Sequence, residues 1–472
     1  MESDKKLLEA VITINKAHVT MLTTQNIVNP QTGTKLLQAL TELDPKLKPD
    51  PTVEDVHLAV EEEINKKVGL DVGGNLHIAK SRNDQVATAI RMALRADLLE
   101  LMEILLALQG SLVELAQKHT ETLVPSYTHL HPAQPVTFAH LLLSYVDCLQ
   151  RDLDRLTETY ARINMCPMGA GAIATTSFPI DRDQTAELLG FYGLVENSID
   201  AVGSRDFILE TLANLTLAAV NISRIAQDLI IWSSPDFGLV ELPESFAFTS
   251  SIMPQKKNPD VLEVIRARMN NVSGNLFAAT TTMTALPSGY NLDFQEITPK
   301  LWDSIQTVAS SAHMLSELVP NLEIKKDIFK KQVLKFATTT ELANVLVKNY
   351  DIPFRTSHKI VGAVVKESLD NNLTLSDLTP EQLNKSAQEC AEIILDVKLA
   401  DIKQATDPKT FVESHKTKGG PAPVEVKRML DGRKLLTAKT KTTLTNKKGE
   451  LAAAEIKLNI AVKRCLSNET TS

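Results

Sequence analysis

A chain of 472 residues with 43% hydrophobic content can bury a large core and, by size, divides into two or three domains. Aromatic residues make up only 4%, and the long segments are rich in Leu, Ala, Glu and Lys, a balance that favours helices over sheet. The formal charge of -8 excludes nucleic acid as the main partner, because phosphate binding needs a net basic face, and no apolar run is long enough to span a bilayer.

Met1 is followed by Glu2-Ser3-Asp4-Lys5-Lys6 with no apolar leader, and Cys148, Cys166, Cys390 and Cys465 are scattered without a CxxC pair, so a cytoplasmic, reducing location is expected. Up to about Leu76, short helical patterns alternate with breaks at Pro30-Gln31-Thr32-Gly33 and from Pro45 to Pro51. These mark a small N-terminal helical domain, residues 1–79. Within it, Glu54-Asp55-Val56-His57-Leu58-Ala59-Val60-Glu61-Glu62 reads as an amphipathic helix whose acidic start suits the helix dipole.

Gly73 to Gln85 is a glycine-led loop running into a helix, and its Ser81-Arg82-Asn83-Asp84 set is too polar for a simple connector. Arg82 can grip a carboxylate with two parallel hydrogen bonds, and Ser81 and Asn83 lie near a helix start, where anions are held. An ordinary capped helix is the competing reading. Then Ile90, Leu94, Leu98, Leu101, Leu105, Leu108, Leu112 and Leu115 step by four and three, the seam of a helix packed nearly parallel to its neighbours. The same seam recurs from Leu142 to Ile163, from Ile208 to Leu229 and from Leu262 to Leu276, with a fifth helix starting near Lys300. Several such helices predict an all-α bundle over residues 80–332 and exclude a doubly wound sheet.

Between the first two long helices, Thr128-His129-Leu130-His131 places two imidazoles two residues apart. No Asp, Glu or Cys ligand accompanies them and the flanking prolines break any helix, so a metal site is not expected; a structural histidine is the alternative for His129. Gly169-Ala170-Gly171-Ala172-Ile173-Ala174 fits a loose dinucleotide fingerprint but fails on context, since no strand precedes it and no long helix follows; it is a turn. Arg205-Asp206-Phe207 opens the third long helix, where such a pair by itself is a surface ion pair or cap.

Thr249-Ser250-Ser251-Ile252-Met253-Pro254-Gln255-Lys256-Lys257-Asn258-Pro259-Asp260 is the stretch that core-and-surface logic does not explain. Asn258 suits an N-cap, Pro259 the first helical position and Asp260 the positive end of the dipole, so a polar loop is pinned to a helix start. Leu286 to Glu296 is a second polar loop. From about Val333 the helices shorten, Lys418-Gly419-Gly420-Pro421 is a break, and Arg433 to Lys448 reads as a solvated or frayed helix face. Residues 333–472 are expected to form a small C-terminal helical domain.

The string from Ser250 to Pro259 resembles the signature of the fumarase and aspartase superfamily, and its Gln-Lys-Lys-Asn-Pro-Asp form resembles the argininosuccinate lyase family, delta-crystallins included. Ser81-Arg82-Asn83-Asp84-Gln85 and Thr128-His129-Leu130 with Ala133-Gln134-Pro135 resemble that family's first and second motifs. The pattern departs at Lys80, His131, Thr249 and Thr298, the last standing where the family often has lysine. The family's Trp-Gly-Gly-Arg-Phe segment has no counterpart after Met1, so a shortened N-terminus is expected.

The resemblance implies reversible anti elimination of argininosuccinate to L-arginine and fumarate, as in arginine biosynthesis, with neither metal nor cofactor. It further implies a homotetramer whose long helices pool into one central bundle and whose active sites are shared between subunits. On the matching positions Ser250 is the base and His129 the acid, oriented by Glu263. Ser81, Arg82, Asn83, Thr128, Arg205, Asn258, Tyr290 and Gln295 are the substrate-side residues. The chemistry asks for such a set: removing a proton beside a carboxylate creates a doubly negative aci-carboxylate, which Lys256, Asn258 and loop amides would stabilise. A free hydroxyl is too weak a base at neutral pH, so Lys256 and oriented amides would have to lower the Ser250 pKa. The alternatives are a sister fumarate-releasing lyase acting on adenylosuccinate or aspartate, and a silent structural oligomer of crystallin type.

Overall fold

The computed structural model describes residues 4–44, 53, 55–328 and 334–467. Met1 to Ser3, the break from Pro45 to Pro51, Glu54 and Val333 lie outside the described residues.

Helix α1 (Leu8–Thr24) is followed by α2 (Pro30–Thr41), which corrects the expected break at Pro30-Gln31-Thr32-Gly33: those residues form the first turn of α2, where the Asn29 side chain accepts the Thr32 N–H and Pro30 takes the first helical position. Helix α3 (Val56–Val68) is capped by Asp55, and the single turn α4 (Leu70–Gly73) leads towards α5 (Arg82–Lys118). A hairpin of β1 (Leu123–Thr128) and β2 (His131–Thr137) then reverses the chain into α6 (Phe138–Ile163). Two short helices, α7 (Arg182–Leu188) and α8 (Ser198–Gly203), precede α9 (Asp206–Ser233). After the two-residue strands β3 (Val240–Glu241), β4 (Phe248–Thr249) and β5 (Lys257–Asn258) come α10 (Asp260–Met283) and α11 (Phe294–Leu318), with β6 (Glu323–Ile324) closing on β3.

The seam of α5 packs as its spacing requires: its eight Leu and Ile side chains from Ile90 to Leu115 are each no more than 3% exposed. Burial of each contributes roughly 1.5–3 kcal/mol over an exposed position. Helices α5, α6, α9, α10 and α11 share one all-α core, to which α1, α2 and α3 also contribute. By length and composition α9 is apolar enough to cross a membrane, a point the sequence reading missed; Ile208, Leu212, Leu215, Ile222 and Leu229 on it are buried in that core.

A second core joins α12 (Thr339–Tyr350), α13 (Phe354–Asp370), α14 (Pro380–Ala391) and α15 (Leu399–Thr406) around Leu342, Leu346, Ile360, Val364, Leu383 and Ile402. The short α16 (Pro408–Ser414) touches strand β2. The last helix, α17 (Pro423–Ser467), leaves this unit and returns to the bundle, burying Val426, Met429, Leu430, Leu444 and Leu458 in the first core. Its basic stretch is therefore neither frayed nor simply solvated. Arg433 makes a two-pronged contact with Asp147, its Nε and Nη2 at 2.8 and 2.7 Å, and Thr437 donates to Gln109 at 2.9 Å.

The long helices alternate in direction, which decides where each connection lies. Ser81 to Asp84 sits at the start of α5 and the β1–β2 hairpin follows its far end. A helix of 37 residues spans roughly 55 Å at ~1.5 Å per residue. The connection from Asn164 to Arg205 returns to the first end, the stretch from Ser234 to Pro259 lies at the far end, and Thr284 to Asp293 is back at the first.

Candidate active site

At the first end, the start of α5 is tied to the glycine turn by one carboxylate. Ser81 and Asp84 form a capping box, with the Ser81 N–H reaching Asp84 Oδ1 at 3.0 Å. Asp84 Oδ2 accepts the N–H groups of Gly169 and Gly171 at 3.0 and 2.8 Å. Burial pushes the Asp84 carboxyl up to about 6, against those amide hydrogen bonds and nearby Lys80. The Ser81 hydroxyl is thus used in capping, while Asn83 donates to the Ala172 carbonyl at 3.0 Å. Arg82 pairs with Asp55, whose other oxygen caps α3 through the Leu58 N–H at 2.9 Å. Sequence reasoning gave Asp55 and Asp84 no role beyond the helix start; the Asp-x-His and Asn-Asp spellings carry no signal of the loops they bind.

Lys80 lies behind this layer, bonded to Asn15 and pushed down to about 7 by burial. His18, also buried, is lowered to about 3 by burial and then by Lys80; its Nε2 lies 2.8 Å from the Ile78 carbonyl.

The loops bearing Arg205 and Tyr290 meet backbone to backbone. A Cβ built on Gly203 would lie 2.9 Å from Gly289 N and 3.0 Å from its O, so only glycine at 203 permits this approach. Arg205 is not the surface ion pair or cap that its sequence context allows. It is 1% exposed, caps nothing with its side chain, and stacks on Phe294 with its guanidinium carbon 4.5 Å from the ring centre. A cavity of about 210 Å³ is lined by Arg205, Tyr290 and Gln295 together with Asp55 and His57. Gln295 reaches it because α11 begins at Phe294, six residues ahead of the expected Lys300, with Pro299 inside the helix. The end of the predicted polar loop is therefore helical.

At the far end, His129 and Leu130 occupy the two central positions of the β1–β2 turn, both left-handed at φ 53° and 61°, with Thr128 paired to His131. That is the geometry of a type I′ hairpin, here formed without glycine, which holds both side chains out from the body. Thr128 and His129 are exposed. The hairpin is braced from the second unit, Gln134 donating to Thr340 at 3.0 Å.

The signature loop is likewise a hairpin: Phe248 pairs with Asn258 and Thr249 with Lys257, and the Ser250 N–H closes on the Lys256 carbonyl at 3.0 Å. This corrects the expected cap. Asn258 belongs to the strand, Pro259 is the cap residue, and α10 opens with Asp260 and Glu263 in its first turn. The Ser250 hydroxyl oxygen accepts two backbone N–H groups, from Ile252 at 3.4 Å and Met253 at 3.2 Å, and such donors favour its anionic form. The two lysines differ. Lys257 is anchored by Glu241 and Glu244 at 3.6 and 3.4 Å, whereas Lys256 makes no ion pair among the described residues.

One chain thus gathers Ser81, Arg82, Asn83, Arg205, Tyr290 and Gln295 at one end, and presents Thr128, His129, Ser250, Lys256, Asn258 and Glu263 at the other. Neither the His129 ring nor the Glu263 carboxylate has a hydrogen-bond partner among the described residues, and both residues are exposed.

Comparison with known proteins places this geometry. Residues 4–274 match the Lyase family and residues 336–413 the Argininosuccinate lyase C-terminal family. The argininosuccinate lyase of Methanocaldococcus jannaschii is 45% identical over 432 residues, 90% of this chain and 88% of that protein. That of Methanococcus aeolicus is 43% identical over 435 residues, 91% and 88% of the two chains. Among solved structures, EDDS lyase in complex with formate superposes with a TM-score of 0.93 at 32% identity, covering 99% of this chain and 93% of that one. A variant of EDDS lyase with bound fumarate gives 0.92 at 31% identity, again over 99% and 93%.

Proposed function

Because this chain belongs to the argininosuccinate lyase family, we propose that it carries out the reversible elimination of argininosuccinate to L-arginine and fumarate through sites assembled from opposite bundle ends of different protomers. The observation that carries this reading is the Ser250 hydroxyl, met by two amide N–H groups in a loop whose Lys256 makes no ion pair among the described residues. In the reaction Ser250, as the alkoxide, takes a proton from the succinyl carbon next to a carboxylate. The electrons of that C–H bond pass into the aci-carboxylate, whose second negative charge Lys256, Asn258 and the loop amides stabilise. They then form the double bond of fumarate as the C–N bond breaks, and His129 donates a proton to the departing guanidino nitrogen. Glu263, on the first turn of α10, is the partner proposed to orient His129.

The separation of the two half-sites supports an assembly of several copies, proposed to be a homotetramer, since helices of 28 and 24 residues in α9 and α10 hold the ends roughly 36–42 Å apart. Exposed apolar residues on those helices, Leu217 and Val220 on α9 with Val264 and Phe277 on α10, support a surface that a second copy covers. The cytoplasm is the proposed compartment, which suits four cysteines that are all free.

The test is fumarate release followed by ultraviolet absorbance with argininosuccinate, adenylosuccinate and aspartate offered separately. Turnover is expected with argininosuccinate alone, and Ser250→Ala should abolish it while leaving the oligomer intact. Release from either other substrate at a comparable rate overturns the assignment.

A further inference from the structure

His129 stands on a turn that its own sequence does not favour. Its φ of 53° and the 61° of Leu130 put two residues with Cβ atoms in the left-handed region, where glycine or asparagine is the usual occupant. The ladder beneath is thin as well. Pro125, Pro132 and Pro135 all hold paired positions and supply no N–H, and the register slips between Pro125 and Tyr127. Only the base is built into the bundle, by Val124 in the core and by Thr137, 0% exposed as the cap of α6. From the Leu123 and Thr137 pair the hairpin reaches out roughly 20 Å to His129, so a tilt of about 5° carries the imidazole through roughly 1.7 Å.

Contacts from outside the hairpin oppose such a tilt. Helix α16 packs on β2, and the Tyr127 ring lies 5.1 Å from that of Phe237, on the connection that leaves α9. At the slipped register, Ser126 Oγ donates to the Gln134 carbonyl at 2.7 Å and accepts the Gln134 N–H at 3.2 Å, which fixes the backbone there. The Gln134 side chain then donates to Thr340 Oγ1 at 3.0 Å, in the first turn of α12.

We infer that Gln134 and Thr340 are positioning residues for the proton donor: through this bond the second helical unit sets the direction of the hairpin and holds His129 where the departing nitrogen will be. The inference rests on the reaction proposed above, in which His129 supplies that proton. It gives the second unit, which carries none of the residues assigned to the reaction, a part in the chemistry. Both side chains are exposed, so water competes for the bond and it adds little to global stability. What it restricts is an angle, and an acid displaced by ~1 Å is costly to the rate.

The test uses the whole enzyme. Thr340→Val keeps the shape and loses the acceptor, Thr340→Ser keeps the hydroxyl, and Gln134→Met removes the donor from the other side. With argininosuccinate, Thr340→Val and Gln134→Met should each lower kcat by about 3- to 10-fold, the span of one lost hydrogen bond, with KM within about twofold. Thr340→Ser should stay within about twofold of the wild type, and the double variant should be no slower than either single one, because both remove the same bond. On the residual turnover of His129→Ala, Thr340→Val should cause no further loss, whereas a merely structural role would lower the rate there by the same factor. Circular dichroism and native mass spectrometry check folding. Hydrogen exchange across residues 126–134 reads the brace without turnover: it should quicken in Thr340→Val and Gln134→Met and hold in Thr340→Ser. Wild-type kcat or wild-type exchange in Thr340→Val, a serine variant as slow as the valine one, or an equal loss in both backgrounds would each overturn the inference. If argininosuccinate is not turned over, or His129→Ala is as fast as the wild type, the proposed reaction fails separately, and exchange in Thr340→Val still decides whether the second unit holds the hairpin.

Discussion

Mixing two inactive variants should restore activity if the half-sites come from different protomers. Asn83→Ala removes one hydrogen bond, to the Ala172 carbonyl at 3.0 Å, at the start of α5, and so should fold. Ser250→Ala removes the hydroxyl of the far-end loop. Between the two ends runs a 37-residue helix, roughly 55 Å of rigid rod, which no loop movement shortens. In a tetramer reassembled at random from equal amounts, each half-site is intact with probability one half. About a quarter of the sites should therefore be whole, because the two halves are drawn from independent subunits. The assay is fumarate absorbance after co-expression, or after mild dissociation and refolding, each variant alone giving the baseline. About 25% of wild-type activity is expected on the same random-assembly count. Baseline activity in a sample that native mass spectrometry shows to contain mixed tetramers would refute the shared site, as would a fully active monomeric variant.

Gly203→Ala places a methyl 2.9–3.1 Å from backbone atoms of Gly289, which cannot swing aside; the loops bearing Arg205 and Tyr290 should part by several tenths of an ångström. Displacements approaching ~1 Å cost up to ~10²-fold in rate, so kcat/KM should fall by roughly that order while the melting temperature drops by only a few degrees. Lys256→Met should lower kcat by about 10²–10³-fold, whereas Lys257→Met, which loses only surface pairs with Glu241 and Glu244, should cost under ~1 kcal/mol by urea melts and leave kcat within a few-fold. Lys80 titrates near 7 in the fold against an amine's ordinary 10.5, so between those values the unfolded chain binds more protons and stability rises with pH. Lys80→Met should flatten that rise in denaturant midpoints taken from pH 7 to pH 10; an unchanged slope would assign it to another group.

Much of the bundle was legible because a helix seam is a local pattern. Ile90 to Leu115 repeat at three and four, and any chain that does so buries that stripe. The proximity of the signature's polar groups was legible for a related reason: Ser250, Lys256 and the pinned helix start lie within ten residues, so chain connectivity imposes it. Element edges were less so. Asn258 looks like an N-cap by residue type, yet pairing with Phe248 draws it into a strand and moves the cap to Pro259. Pro299 looks like a helix boundary, yet the packing of Phe294 and Ile297 carries α11 through it.

The partners brought together from distant stretches had no such signal. Asp84 binds Gly169 and Gly171, Arg82 meets Asp55, and α17 lies along α6 through Arg433 and along α5 through Thr437. The sequence by itself determined the helices, their buried stripes and the closeness of Ser250, Lys256 and the α10 start, because each is written in spacings shorter than two helical turns or in one contiguous string. Only the tertiary structure decided which ends meet, that Arg205 is buried, and that the reactive groups of one chain stand at opposite ends of a rod. Those outcomes depend on how whole helices pack and in which direction they run, and no local interval in the chain encodes that.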